Sequence, residues 1–413
     1  MLKGALMFGQ SGGPTSVINS SAAGVFIEAL KHSDVITKVY GAAHGIVGIL
    51  NEDFYDMGAE DIKELELLKN TPSSALGSVR YKLKHVDVDE TDYKRLLEVF
   101  KKYNIRYFFY NGGNDSMDTC NKVSKYLKAT GYECRVIGVP KTIDNDLYGT
   151  DHCPGYGSAA KYIATTLMEL YLDAKVYDTG MVCVVEVMGR NAGWLTAAAA
   201  LASYKGMGPD LIYLPEIPFD MDQFLVNVKK VCDAKKDKCI VVVSEGIKDE
   251  DGNYVGEFKA SSTDLFGHAQ LGGVGALLAD IVKKKLNIKV RAVEFSIIQR
   301  SAAHLASAVD VEEAFMCGAA AVKYALEGNN DKMVVIKRDA LSTEYKSSIE
   351  LMDVALAANT EKKIPLEWIK PEGRGLTQEF IDYALPLIQG DSKAPLEDGL
   401  PRFARLKKVP GKK

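Results

Sequence analysis

Short apolar runs rich in Val, Ile, Phe and Tyr alternate with longer stretches of helical periodicity over most of the chain. The run at 5–8 predicts a strand, which leads through a glycine turn to an apolar helix at about 17–31. Strands are predicted again at 35–40, 106–110 and 135–139, with a helix at about 117–129 between the last two. After 155 the alternation restarts. The run at 182–187 leads to a helix at 192–204, 211–214 to a helix at 219–235, and 239–244 to another turn. A helix near 272–286 then precedes a strand at 290–295. This rhythm predicts an α/β fold with parallel-rich sheets and helices on both faces. No fixed-period repeat or low-complexity segment interrupts it.

At 413 residues the chain is too long for one ordinary domain, and two or three are expected. A hydrophobic content of 47% with 26% charged residues suits substantial cores. The net charge of −4 and a pI near 6.0 give no basic field for nucleic acid or a membrane surface. The longest apolar stretch, 192–202, is too short to span a bilayer. Seven cysteines form no Cys-x-x-Cys pair and read as small apolar fillers in a reducing cytoplasm. Met1-Leu2-Lys3-Gly4 enters a strand at once, so no signal peptide is expected. The lysine-rich tail at 407–413 reads as a solvated, frayed end.

The chemistry gathers where strands end, which is where open α/β sheets bind ligands. Pro140-Lys141-Thr142-Ile143-Asp144-Asn145-Asp146 follows the strand at 135–139. It offers a cation, a hydroxyl and two carboxylates on alternate residues. Phosphoryl transfer to an alcohol needs such parts: a base for the hydroxyl proton and charge for the phosphate oxygens. Standing alone, the same residues would be a polar loop whose aspartates cap turns. Gly9-Gln10-Ser11-Gly12-Gly13-Pro14 joins the first strand to its helix and lets backbone N–H groups approach an anion. It matches neither GxGxxG nor a Walker A sequence. Asn111-Gly112-Gly113-Asn114-Asp115-Ser116 is a second glycine turn carrying a carboxylate, which suggests Mg²⁺ beside phosphate. Its bland reading is an N-cap for the helix at 117, which Ser116 could serve. Met188-Gly189-Arg190 and Glu245 close two later strands. Arg291 and Arg300 flank another, where two guanidiniums could converge on a dianion.

In that order these motifs resemble the phosphofructokinase family, from Gly12 to Arg300. The resemblance makes Gly12 and Gly13 the first phosphate loop and Leu76-Gly77-Ser78-Val79-Arg80 the second. Asp115 and Ser116 belong to the donor turn, with Asn114 and Asp115 toward Mg²⁺. Asp144 would be the base, with Thr142 and Asp146 assisting. Thr142, Ile143, Asp144, Met188, Gly189, Arg190, Glu245, Arg291, Ile297 and Arg300 would line the site for fructose 6-phosphate. Two α/β domains of Rossmann type would face each other across the cleft. Residues 1–155 and about 299–349 would form the donor domain, and 156–298 with about 350–413 the sugar-phosphate domain. A homo-oligomer, dimer or tetramer, is implied as well.

Asp115 and Lys141 depart from the ATP-using bacterial pattern, which has glycine at both places, and resemble the pyrophosphate-dependent branch. A carboxylate at 115 would repel the α-phosphate of ATP, while Lys141 would supply charge to pyrophosphate. At about 4 Å and an effective dielectric of about 20, two like charges cost roughly 4 kcal/mol. The alternatives are an ATP-dependent enzyme, a wider acceptor range such as sedoheptulose 7-phosphate, and a catalytically silent regulatory relative. Three departures stand out. The usual metal Asp is Asn114, an aromatic or His is replaced by Ile297, and Met181 replaces an arginine supplied from a neighbouring subunit. A Rossmann oxidoreductase is disfavoured further still by the missing GxGxxG fingerprint with its ribose-binding acid downstream.

Overall fold

The protein, a computed structural model, is described over residues 2–176, 178–256, 273–358 and 360–412. β1 (Gly4–Gln10), α1 (Ile18–Leu30), β2 (Ile36–Ala42), α2 (Gly45–Leu50) and β3 (Phe54–Asp56) open the first body. It continues with α3 (Ile62–Leu67), α4 (Thr91–Lys102), β4 (Ile105–Gly112), α5 (Asn114–Ala129) and β5 (Arg135–Pro140). α6 (Tyr156–Lys175) leads into the second body. There follow β6 (Met181–Val187), α7 (Trp194–Ala197), α8 (Ala199–Tyr204), β7 (Leu211–Tyr213) and α9 (Met221–Ala234). β8 (Lys238–Ser244), α10 (Val274–Leu286), β9 (Val290–Glu294) and α11 (Ile298–Ser301) complete it. The chain then returns through α12 (Ala308–Leu326), β10 (Lys332–Arg338) and β11 (Ser347–Asp353). α13 (Val354–Ala357), α14 (Gln378–Ala384) and the hairpin of β12 (Leu396–Glu397) and β13 (Leu400–Pro401) come last.

The first sheet has seven strands in the order β11-β10-β5-β4-β1-β2-β3, and the second has four in the order β7-β8-β6-β9. Only the outermost pairs of the first sheet, β2–β3 and β10–β11, are antiparallel. Every residue of β1 is buried, as a strand covered by helices on both faces requires. One of those covers is the pair α1 and α12, which pack backbone to backbone. A Cβ on Gly24 would lie 2.1 Å from the Phe315 carbonyl oxygen, and one on Gly318 2.0 Å from that of Ser21. Small residues are the only ones that fit this crossing.

Four expectations change. α5 begins at Asn114 rather than 117, with Gly113 as its N-cap and no side-chain cap. Asp115 therefore sits in the first turn, where the helix dipole favours an anion. The helix expected at 192–204 is two, joined at Ala198, and Gly272 of the helix expected near 272–286 lies outside the described residues. The segment 350–413 does not join one body. β11 pairs with β10 as far as Asp353, and Phe380, Ala384 and Leu387 enter the core beneath α6 and α8. Finally, residues 407–411 of the lysine-rich tail are not frayed. Lys407 and Lys408 donate their amides to Glu60 at 2.7 Å each, and Gly411 donates to the Phe54 carbonyl at 2.8 Å along the open edge of β3. An edge strand left with unpaired groups is the physical reason a polar tail docks there.

All seven cysteines are buried and free. Among the described residues no helix is long and apolar enough to cross a membrane. A buried ion cluster ties α12 to the loop after β5. His152, 1% exposed, lies between Asp151 at 2.8 Å and Glu313 at 2.6 Å. Burial alone would discharge the imidazole, but Glu313 and Asp151 outweigh it and raise its pKa from 6.5 to about 9. A raised folded-state pKa contributes stability that is full below the unfolded value and lost as pH rises through the folded one. Tm is therefore expected to fall as pH rises from about 6.5 to 9, and the slope to flatten in His152→Asn. A thermal melt series across that range checks it.

Candidate active site

The carboxyl ends of β1, β4 and β5 place three turns side by side. Gly12 adopts φ +76°, a left-handed conformation that favours glycine, and donates its amide to the Val79 carbonyl at 3.0 Å. Ser78 Oγ donates back to the Gly12 carbonyl at 2.6 Å, so the first and second predicted phosphate loops are stitched together. From β5, the buried Lys141 sends its ammonium into this cradle, donating to the Gly13 carbonyl at 2.6 Å. A Cβ on Gly12 would sit 3.3 Å from that Nζ. Burial lowers the Lys141 pKa to about 8, with the positive charges of Arg80 and Arg300 adding to the effect and Asp144 opposing it, which leaves the ammonium mostly charged near neutral pH. An anionic donor in the cradle would hold that charge more firmly.

The loop after Lys141 carries the two carboxylates. The Asp144 amide donates to Thr142 Oγ1 at 3.1 Å, which bends the loop into a tight ST-type turn. Burial pushes the Asp144 carboxyl upward, against the pull of Lys141, Thr142, Arg80 and Arg190. Asp146 is raised to about 7 by burial and by the nearby charges of Asp144 and Glu361. Between them, Asn145 stands at φ +55°, a conformation that Asn tolerates better than most residues. Asn145 is buried, and no role for it is expected from the motifs.

Asn114 Nδ2 donates to Asp146 Oδ2 at 3.0 Å, while Asn114 Oδ1 is buried with no partner. A buried oxygen left unpaired beside carboxylates fits a hard cation, and Mg²⁺ characteristically takes few protein oxygens and several from phosphate and water. Among the described residues no group of three or more His, Cys, Asp or Glu side chains forms a closed metal cage. Asn114, with Asp115 beside it, is thus a fitting but open holder. Asp115 is not solitary, since Lys82 Nζ lies 3.5 Å from its Oδ1. Ser116 is buried under Gly112, where a Cβ would lie 1.9 Å from its Oγ.

From the second body, the turns after β6 and β8 interlock. Gly189, at φ +135°, donates its amide to Glu245 Oε1 at 3.2 Å, and a Cβ on Gly246 would strike the Arg190 carbonyl oxygen at 1.9 Å. Burial is the main cause that raises Glu245 to about 7, with Asp144 and Glu186 adding to it. Met188 is held by its amide to Gln299 Oε1 at 3.3 Å. Arg300 lies against Gly13, where a Cβ would come within 3.1 Å of Nη1. Ile143 is buried in the second body's core, whereas Ile297 is 59% exposed at the start of α11.

Arg291 does not join this cluster. β9 is the open edge of its sheet, Arg291 is exposed, and its strand partner is Cys183. Cys183 precedes Met188 by five residues, which is about 16 Å along an extended strand. The expected convergence of Arg291 with Arg300 therefore does not occur within one chain.

The phosphofructokinase family profile matches residues 5–325. The chain belongs to the phosphofructokinase family. It is 46% identical over 405 residues to a pyrophosphate--fructose 6-phosphate 1-phosphotransferase of Halomonas elongata, covering 97% of this chain and 96% of that one. A namesake from Xanthomonas campestris is 47% identical over 418 residues, covering 99% and 97%. The crystal structure of a pyrophosphate-dependent phosphofructokinase from Marinobacter aquaeolei superposes with a TM-score of 0.89 at 44% identity, covering 100% of this chain and 98% of that one. The α/β architecture is that of this family.

Proposed function

We propose that the protein transfers a phosphoryl group from pyrophosphate to the 1-hydroxyl of D-fructose 6-phosphate, giving fructose 1,6-bisphosphate and phosphate. The observation that carries the donor assignment is the buried Lys141 ammonium bonded into the Gly12–Gly13 cradle. Nearly full-length likeness to relatives bearing that name supports it. In this reading Gly12, Gly13, Arg80, Asp115, Ser116 and Lys141 hold the donor. Thr142, Ile143, Asp144, Met188, Gly189, Arg190, Glu245, Ile297 and Arg300 hold the acceptor. The same reading carries with it a cytoplasmic, Mg²⁺-dependent homo-oligomer.

The chemistry follows from the charges. Asp144 takes the proton of the 1-hydroxyl as its oxygen bonds to the near phosphorus of pyrophosphate. The bridging P–O bond breaks, and its electrons leave with the departing phosphate. Lys141, Arg80 and Arg300 face the phosphate oxygens and stabilise the charge that spreads over them in the transition state. Held by Asn114 and Asp115, Mg²⁺ would add positive charge to the donor oxygens. A catalytically silent relative is disfavoured because both Lys141 and Asp144 are in place. Since the two donors of this exchange differ little in transfer potential, the reaction should run readily backwards. Fructose 1,6-bisphosphate with inorganic phosphate is expected to give fructose 6-phosphate and pyrophosphate, and no phosphate-dependent cleavage would refute the proposal.

A further inference from the structure

The stretch beyond β11 passes behind the loop that carries Asp144 and Asp146. Lys362 donates its amide to the Asp146 carbonyl at 2.7 Å, and Glu361 pairs with Leu147 in an antiparallel bridge. The Lys362 ammonium donates to the Asp151 carbonyl at 2.7 Å and lies 5.1 Å from the Trp194 ring centre. Trp194 Nε1, on the second body, donates to the Lys362 carbonyl at 2.9 Å. Glu361 Oε1 accepts from Asn191 Nδ2 at 3.0 Å, directly after Arg190. Farther on, Tyr383 OH accepts from Asn145 Nδ2 at 2.7 Å and donates to the Asp151 carbonyl at 2.8 Å.

We propose that Glu361, Lys362 and Tyr383 form a positioning clamp that holds the loop at 142–146 in register with the acceptor loop at 188–191. Among the described residues none of the three bonds to the donor cradle, so they act by holding the loop, with the charges of Glu361 and Lys362 also felt at Asp146. Asn145 is the residue through which Tyr383 holds the loop. It stands at φ +55° between the two carboxylates, and its side chain bonds to Tyr383 on one side and accepts from the Cys153 amide at 2.9 Å on the other. Loss of either bond would free the peptide planes that aim Asp144 and Asp146. A misplacement of about 1 Å in such groups can cost on the order of a hundredfold in rate. Glu361 does the same for the opposite wall, since its carboxylate is the side-chain tie between this segment and Asn191. The proposal rests on reading 142–146 as the catalytic loop.

The test uses the full chain carrying Tyr383→Phe, Glu361→Ala or Glu361→Gln. Tyr383→Phe keeps the ring and removes only the hydroxyl, and Glu361 is exposed, so these substitutions leave the core intact. Tyr383→Phe and Glu361→Ala are expected to lower kcat about tenfold, with KM for pyrophosphate within about twofold of wild type. Glu361→Gln keeps the oxygen that accepts from Asn191 and should return kcat to within about twofold of wild type. The clamp is overturned if both lowered variants keep wild-type kcat, if kcat falls only in step with the folded fraction, or if Glu361→Gln is as slow as Glu361→Ala. An active Asp144→Ser enzyme would sink the reading of the loop itself. An inactive one beside fully active clamp variants would sink the clamp alone.

Discussion

Asp144→Ser is expected to lower kcat by about 10²–10⁴ while KM for both substrates changes little. The carboxylate's worth lies in accepting a proton as the new bond forms, so its loss belongs to the transition state rather than to binding. Its surroundings prepare it for that task. Burial raises its pKa, and Lys141, Thr142 and the charges of Arg80 and Arg190 keep the ionised form accessible. Asp146 cannot easily take over, because its oxygen is already engaged by Asn114 and its carbonyl by the Lys362 amide. Steady-state kinetics on the purified variant decide the matter. A kcat within about threefold of wild type would move the base elsewhere.

The second large effect is a change of donor. Asp115→Gly is expected to raise kcat/KM with ATP by about tenfold to a hundredfold. Lys141→Gly should cut turnover with pyrophosphate by at least about a hundredfold. The bare Coulomb argument of roughly 4 kcal/mol overstates the first number, because Asp115 is about one-third exposed and paired with Lys82. Lys82 also changes what the substitution leaves behind. Without Asp115 its ammonium is released beside the place a third phosphate would occupy, so repulsion is replaced by attraction. The Lys141 effect is larger because that cation is buried in the donor cradle, where water screens it least. Unchanged ATP use in Asp115→Gly would remove electrostatic exclusion from the account.

The strands that deliver the site were legible in the sequence because parallel strands buried on both faces read as unbroken apolar runs. β1, β4, β5, β6 and β8 lie within two residues of the runs that predict them. Glycine turns at their ends were equally plain, and the structure brings Gly12, Gly13, Lys141 and Arg300 together as the motif order implied. What escaped was whatever depends on side chains meeting across distant segments. Glu361 and Lys362 lie in irregular chain with no periodic pattern, so nothing local distinguishes them from a solvated charge pair. Asn145 did carry a signal, an Asn between two aspartates where αL backbone is tolerated, but its partner Tyr383 is 238 residues away. β11 was missed because Ser347-Ser348-Ile349-Glu350-Leu351 alternates as a half-exposed edge strand, a weaker pattern than a buried run. Arg291 misled for the opposite reason. Its type and order fit the acceptor site, but strand register places it about five residues too early.

The central claim is that this chain uses pyrophosphate, selected by Asp115 and Lys141. Initial rates of fructose 6-phosphate phosphorylation by the wild-type protein, with pyrophosphate or ATP as the varied donor at saturating Mg²⁺, test it most directly. Wild type is expected to show a kcat/KM for pyrophosphate at least about a hundredfold above that for ATP, since the exclusion at the partly exposed, Lys82-paired Asp115 is screened below the bare Coulomb figure. Comparable rates with the two donors, or a preference for ATP, would contradict it.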